Sequence, residues 1–224
     1  MKLLYPMGGT GSRMQQAGHT LPKPLLLAQG RPLFSYVMEM TAKVPGRSEY
    51  ILAPELIYHL EALNARPGCW HALLDRTASV LHTLTELRDC LNEEEMLVCD
   101  CDSTMNPQEL ADAIEVFRRS DAEAGVTVRQ TKDAHCSFVS MDYDWMVIEA
   151  REKDPFSPWS STGPYWFRSG LQLRAWIERG IKNGLTSVAP LLNYPKRVKA
   201  VPVSSFIHLG TPEDLERFNA VSLT

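Results

Sequence analysis

The sequence predicts an α/β fold: a mixed, mostly parallel sheet flanked by helices, in a single domain over residues 1–224. Three observations carry that expectation. Short apolar runs of strand character alternate with amphipathic segments of helical period, the order that builds parallel sheets. One run, Met96-Leu97-Val98-Cys99, is apolar throughout, as a central strand covered on both faces should be. The first run passes straight into the glycine-rich turn Gly8-Gly9-Thr10-Gly11.

The elements follow in order. Leu3-Leu4-Tyr5 reads as the first strand. Pro32 opens a helix with Leu33, Val37 and Val44 on one side and Phe34 and Met38 adjoining. Residues 50–53 read as a strand. Residues 75–91 read as a helix with Val80, Leu84 and Leu87 on one face. Asn106-Pro107-Gln108-Glu109 combines an N-cap, a first-turn proline and a reciprocal capping glutamate, and Leu110, Ile114 and Phe117 form the stripe behind it. Residues 126–128, 138–141 and 146–148 read as strands, with Asp142-Tyr143-Asp144 as a turn. Residues 156–162, rich in Ser and Pro and containing Trp159, read as a loop before the strand Tyr165-Trp166-Phe167. Leu173, Trp176, Ile177 and Ile181 mark a helix stopped by Gly184. Residues 198–203 form a late strand. Thr211-Pro212-Glu213-Asp214 caps a last helix anchored by Leu215 and Phe218. There is no internal repeat, low-complexity tract or long linker, and no appended oligomerisation module is expected after that helix.

At 224 residues, 44% of them hydrophobic, the chain can fill a core. A net charge of -4 argues against a nucleic-acid-binding surface. Five cysteines, an odd number with no Cys-x-x-Cys pair, argue for free thiols rather than a disulfide framework or structural zinc site. The apolar start is too short for a signal peptide, and no run reaches membrane-spanning length, so a cytoplasmic protein is expected.

A strand running into glycines presents backbone N–H groups to an anion. Arg13 and Lys23 put two positive charges beside that turn, and together these suit a nucleoside triphosphate. The turn is neither of the two commoner phosphate loops: Met14 stands where a dinucleotide fingerprint needs its third glycine, and no Gly-Lys-Ser/Thr follows. A glycine-rich hairpin with two surface cations is the bland alternative. Asp100 and Asp102 share one face at a strand end, so both carboxylates can approach one cation, Mg²⁺ or Mn²⁺; two acids in a solvated turn is the alternative there. Glu152-Lys153 alone would more often be a solvated pair. His19, His59, His71, His82 and His135 show no ligand spacing and read as structural or surface groups.

Leu4-Tyr5-Pro6-Met7-Gly8-Gly9-Thr10-Gly11-Ser12-Arg13 with Leu21-Pro22-Lys23-Pro24-Leu25 resembles the signature of the sugar-1-phosphate nucleotidyltransferases. The resemblance returns at Val98-Cys99-Asp100-Cys101-Asp102, at Glu149-Ala150-Arg151-Glu152-Lys153 with Thr162-Gly163, and at His208-Leu209-Gly210-Thr211-Pro212-Glu213-Asp214. It implies a Rossmann-like, GT-A-like fold and transfer of a nucleotidyl group from an NTP to a phosphorylated small-molecule acceptor. Arg13, Lys23 and Lys153 would be catalytic. Met7, Gly8, Gly9, Thr10, Gly11, Ser12, Thr77 and Ala78 would bind nucleotide, the last two from the start of the 75–91 helix. Glu152, Thr162 and Gly163 would bind the acceptor. The family's metal-binding Asp falls on Asp102, with Asp100 beside it. His208 departs from the pattern, since relatives carry Asp there. It would ligate a softer metal, contact phosphate, or stand idle while Asp100 replaces the missing carboxylate; the last is favoured, because two carboxylates suffice for Mg²⁺.

Three other functions compete. One is a cytidylyltransferase with a phosphorylated non-sugar acceptor. Another is a glycosyltransferase, because Asp100-Cys101-Asp102 is a D-x-D pattern. The third is an impaired nucleotide-binding domain. No nucleic-acid or membrane partner is expected, and homo-oligomerisation stays open.

Overall fold

The computed structural model describes residues 1–63 and 65–221. In chain order its elements are β1 (Lys2–Met7), α1 (Ser12–Gln16), β2 (Leu27–Ala28), β3 (Arg31–Pro32), α2 (Leu33–Met40), β4 (Arg47–Leu52), β5 (Gly68–Ala72), α3 (Val80–Thr85), β6 (Met96–Val98), β7 (Ser103–Thr104), α4 (Pro107–Arg119), β8 (Ala124–Gln130), β9 (Ser137–Met141), β10 (Val147–Glu152), β11 (Trp159–Phe167), α5 (Gly170–Lys182), β12 (Val198–Pro202), β13 (Ile207–His208) and α6 (Pro212–Val221).

The main sheet runs β10-β9-β11-β6-β1-β4-β5, with β8 beside β11 and β12 beside β8. The half β6-β1-β4-β5 is parallel. The long strand β11 enters antiparallel to β6, β8 and β9 and so joins the two halves. One face is closed by α3 and α5 through Leu81, Leu84, Leu173 and Ile177. The other is closed by α2 and α4 through Phe34, Val37, Leu110, Ile114 and Phe117. The fully apolar β6 lies between β1 and β11 in the middle of the sheet, as its sequence predicts. Crevices of such sheets open at the carboxyl ends of parallel strands. Here those ends are Met7, Leu52 and Val98, followed by the glycine turn, Ala53 and the two acids.

Capping explains most helix starts. Asn106 Oδ1 accepts from the Gln108 N–H at 2.8 Å, as predicted. Glu109, however, does not turn back to Asn106. Its carboxylate accepts from the backbone and side chains of Ser204 and Ser205, tying α4 to the segment after β12. Thr211 Oγ1 accepts from the Asp214 N–H at the start of α6. Asp142 Oδ1 closes the predicted turn by accepting from Asp144 N and Met146 N.

Three expectations fail on element bounds. The helix opened by Pro32 ends at Met40, short of Val44. The helix over 75–91 shrinks to Val80–Thr85, because Ser79 caps it and Thr77 is drawn to the glycine turn by a 3.0 Å bond from its N–H to the Gly8 carbonyl. The loop over 156–162 gives way at Trp159 to strand β11. Ser160, Ser161 and Thr162 are buried there, Ser161 bonded to Tyr165 and Thr162 Oγ1 2.6 Å from Thr127 Oγ1. All five cysteines are free thiols. Among the described residues no helix is long and apolar enough to cross a membrane.

Candidate active site

A cleft of about 490 Å³ opens at the carboxyl ends of the parallel strands. Its floor begins where β1 ends. Gly11 has φ 64°, a left-handed conformation that glycine adopts without strain, and its carbonyl then starts α1 by accepting from Met14 and Gln15. Gly9, Thr10, Gly11, Ser12 and Arg13 line the cleft behind Met7. Gly8 lies underneath, where a Cβ would stand 2.6 Å from Leu73 and 2.8 Å from Thr83 Oγ1. Thr77 and Ala78 line the wall above it and are joined to it through the Thr77–Gly8 bond.

The chain after β6 carries Asp100 and Asp102 into the same space. Lys23 reaches across from the segment after α1 and forms an ion pair with Asp102 Oδ2. Burial alone would raise the Asp102 carboxyl, but the charges of Lys23 and then His208 outweigh it and hold it at about 2. Asp100 goes the other way: burial, then the Asp102 charge, push it up to about 8. Burial works against the Lys23 ammonium, yet Asp102 raises it above its ordinary value. Two adjacent carboxylates thus share one cation and, near neutral pH, one proton.

The opposite wall is the kink in β11. Register slips between Ser161 and Tyr165, and Gly163 sits in the slip with φ 99°. A Cβ on Gly163 would meet Ser103 Oγ at 2.9 Å and Asp100 Oδ2 at 3.1 Å. Ser103 Oγ is buried and has no hydrogen-bond partner among the described residues. A Cβ on Gly210 would meet His208 Nε2 at 2.3 Å and Asp102 Oδ2 at 2.8 Å. Two glycines therefore keep a cradle clear beside the carboxylates, and an orphaned hydroxyl borders it. That donor set fits a hard divalent cation.

His208 lies at the edge of this cradle. Its Nδ1 is 2.7 Å from Asp214 Oδ2, which leaves Nε2 facing the Asp102 side of the cradle. A carboxylate behind an imidazole is the usual way of aiming its other nitrogen at a cation. Glu152 lines the cleft and is held by Ser137 Oγ and, at 3.0 Å, Ser187 Oγ. Thr162 lines it too, but its hydroxyl is spent on Thr127, so only its backbone faces a ligand. Lys153 lies beside the cleft rather than in its lining. Its side chain, 55% exposed, runs past Glu152 at 3.9 Å. The strand ends at Glu152 and Lys153 takes φ 53°, so the chain turns there and the lysine leaves the face that Glu152 presents to the cleft. Sequence reasoning missed Arg76. It lines the cleft, pairs with Glu55 and donates to the Gly9 carbonyl at 3.1 Å. Its place inside the expected helix hid it.

These shifts set a pH dependence. Unfolded Asp100 titrates near pH 4 and folded Asp100 near about 8. Across that interval only the unfolded chain releases the proton, so this group's contribution to stability falls as pH rises and levels off above it. Asp102 acts oppositely: its contribution is complete above about pH 4 and is lost as pH falls toward about 2. The melting temperature of metal-free protein is expected to lose height from about pH 5 to about pH 8, and Asp100→Asn to flatten that slope. An unchanged slope in Asp100→Asn would contradict the assignment.

With this geometry in place, the comparison with solved structures is decisive for the fold. The fold is that of nucleotidyltransferases. A nucleoside-diphosphate-sugar pyrophosphorylase from Vibrio cholerae RC9 superposes with TM-score 0.73 at 22% identity, over 97% of this chain and 99% of that one. The inositol-1-phosphate CTP transferase from T. maritima gives TM-score 0.81 at 15% identity, over 99% and 94%. A UDP-glucose pyrophosphorylase complexed with UDP-glucose gives 0.80 at 14%, over 99% and 98%. No protein-family model matches the chain, and no curated protein matches it in sequence. The chain thus shares the fold of these structures at 14–22% identity.

Proposed function

We propose that this chain is a metal-dependent nucleotidyltransferase that joins an NTP to a sugar-1-phosphate, giving an NDP-sugar and pyrophosphate. The observation that carries the reading is the Lys23–Asp102 pair, which joins the glycine-loop side of the cleft to the two carboxylates. The shared fold supports it.

In this reading the acceptor's phosphate oxygen attacks the α-phosphorus and pyrophosphate leaves. That nucleophile is already anionic, so the site needs no general base. It needs positioning and charge neutralisation. The N–H groups of the 9–12 turn and Arg13 hold the triphosphate, and Arg76 buttresses the turn from behind. Lys23 leaves Asp102 for the phosphoryl group being transferred. Thr77 and Ala78 border the base. Glu152, held by its two serines, accepts from acceptor hydroxyls, and the Gly163 backbone lets the acceptor lie close. Asp102 and Asp100 would hold the divalent ion, with His208 Nε2 and Ser103 Oγ at the rim. When bound, that ion supplies charge neutralisation and a template for phosphate oxygens. Two carboxylates suit Mg²⁺, and an imidazole beside them also suits Mn²⁺.

A phosphorylated non-sugar acceptor with CTP is the second reading, favoured by the likeness to the inositol-1-phosphate CTP transferase. The test is pyrophosphate release from each NTP against a panel of sugar-1-phosphates and phosphorylated alcohols. Release dependent on both substrates and abolished by EDTA is expected. Hydrolysis or transfer from an NDP-sugar without pyrophosphate release would favour a glycosyltransferase. Nucleotide binding with no turnover for any pair or metal would favour an impaired domain.

A further inference from the structure

At the other end of the sheet, near the N-terminal ends of β1 and β4, a second group of donors converges. Glu49 sits in the middle of β4 with its side chain 1% exposed. Its Oε2 is 2.8 Å from His71 Nε2 on β5, and its Oε1 accepts from Arg47 Nε at 3.0 Å. Cys90, in the turns after α3, brings its sulfur to the same point. One carboxylate oxygen, one imidazole nitrogen and the Cys90 Sγ all lie within 4.8 Å of one another. Cys69 stands directly opposite Glu49 in the parallel register, two residues before His71 and on the same face of β5. None of these four residues lines the candidate active-site cleft.

We infer that Glu49, His71 and Cys90 form a structural site for a borderline divalent transition metal, Zn²⁺ by preference, with Cys69 placed to complete a tetrahedron. Three arguments carry this. The first is geometry. Zn²⁺ bonds to O, N and S of about 2.0–2.3 Å put tetrahedral donors about 3.3–3.8 Å apart. Glu49 Oε2 and His71 Nε2, 2.8 Å apart, would open by about 0.5 Å, and the other separations, none above 4.8 Å, would close by at most about 1.5 Å.

The second is chemistry. A set of carboxylate, imidazole and thiolate selects Zn²⁺ over Mg²⁺ or Ca²⁺, which take oxygen ligands. The third is the burial of Glu49. A carboxylate in the middle of a buried strand costs free energy unless it is well paired. Its partners are an imidazole and a guanidinium whose side chain is 58% exposed. A dication would compensate the charge far better. Arg47 on Oε1 would then orient the carboxylate with Oε2 toward the metal, the role outer partners play around bound zinc.

The site would act on the fold. Among the described residues β5 is the edge strand of the sheet and pairs only with β4. A metal held by Glu49, His71 and Cys90 pins that edge to β4 and to the turns that close α3. Being separate from the cleft, the inference does not depend on the proposed activity.

Co²⁺ alone, added to chelator-stripped full-length protein, tests it. The expected result is a thiolate-to-cobalt charge-transfer band with tetrahedral d–d bands, saturating at about one equivalent and displaced by Zn²⁺. Cys90→Ser should weaken the charge-transfer band, and Cys90→Ser combined with Cys69→Ser should abolish it. His71→Gln should bind about a hundredfold more weakly and lose the rise in melting temperature that Zn²⁺ gives the parent. Asp102→Asn should bind Co²⁺ here unchanged, which separates this site from the one in the cleft. Absence of a thiolate band in the parent would overturn the inference. So would a band undiminished in Cys90→Ser, with circular dichroism showing the variant folded.

Discussion

Asp102→Asn is expected to reduce metal-dependent pyrophosphate release by more than about a hundredfold. Asp102 is the point where three positive influences meet: Lys23 in direct contact, His208 across the cradle and Arg13 further out. Together they hold its carboxyl at about 2, so it is ionised at every working pH. Asn keeps the shape and removes the charge. It also leaves the Lys23 ammonium partly buried without its counter-ion, so a loss of stability accompanies the loss of rate. Titrating the variant with Mg²⁺ and Mn²⁺ while recording turnover and melting temperature separates the two effects. If the variant stays within tenfold of the parent at saturating metal, Asp102 is not the ligand. Asp100→Asn should be as severe as Asp102→Asn where Asp100 ligates the ion directly and milder where it only borders it, so the ratio of the two variants' rates distinguishes the two roles.

How far the sequence alone reaches can be judged from particular residues. The glycine turn and the acids after β6 are legible because they are local: apolar strands end at them, and strand ends of a parallel sheet share one rim. The caps at Asn106 and Thr211 are legible for the same reason. What the sequence hides is long-range. Strand β5, Gly-Cys-Trp-His-Ala, has no alternation because it is an edge with most side chains partly exposed, so no period announces it. The start of β11 reads as a loop because Ser160, Ser161 and Thr162 are polar. Thr162 and Ser161 are buried with partners on β8 and further along β11, Thr127 and Tyr165, that the sequence does not announce. Arg76 and the shortened α3 are set by the tertiary bond between Thr77 and Gly8, which outweighs helix propensity. His71, read as a structural histidine, gains its candidate partners from β4 and the turns after α3, neighbours that no spacing in the sequence reveals.

Lys23→Ala is expected to move two observables in opposite directions. In the absence of substrate the ammonium occupies Asp102 Oδ2, so it competes with a divalent ion for that oxygen. Removing it should leave metal affinity unchanged or tighter, read by titration with Mn²⁺ alone. Turnover should fall nonetheless. In the proposed reaction Lys23 releases Asp102 and neutralises charge on the phosphoryl group as two anions meet. One such contact in the transition state contributes about 2–4 kcal/mol, or roughly a hundredfold in rate. Lys23→Ala therefore separates the two roles. Weaker metal binding together with a slower rate would mean that Lys23 only organises the carboxylates. Tighter binding with a hundredfold slower rate is the signature of direct contact with the triphosphate. Near-normal turnover in a folded Lys23→Ala variant would remove the observation on which the proposed function rests, because no other charged side chain among the described residues is paired directly with Asp102.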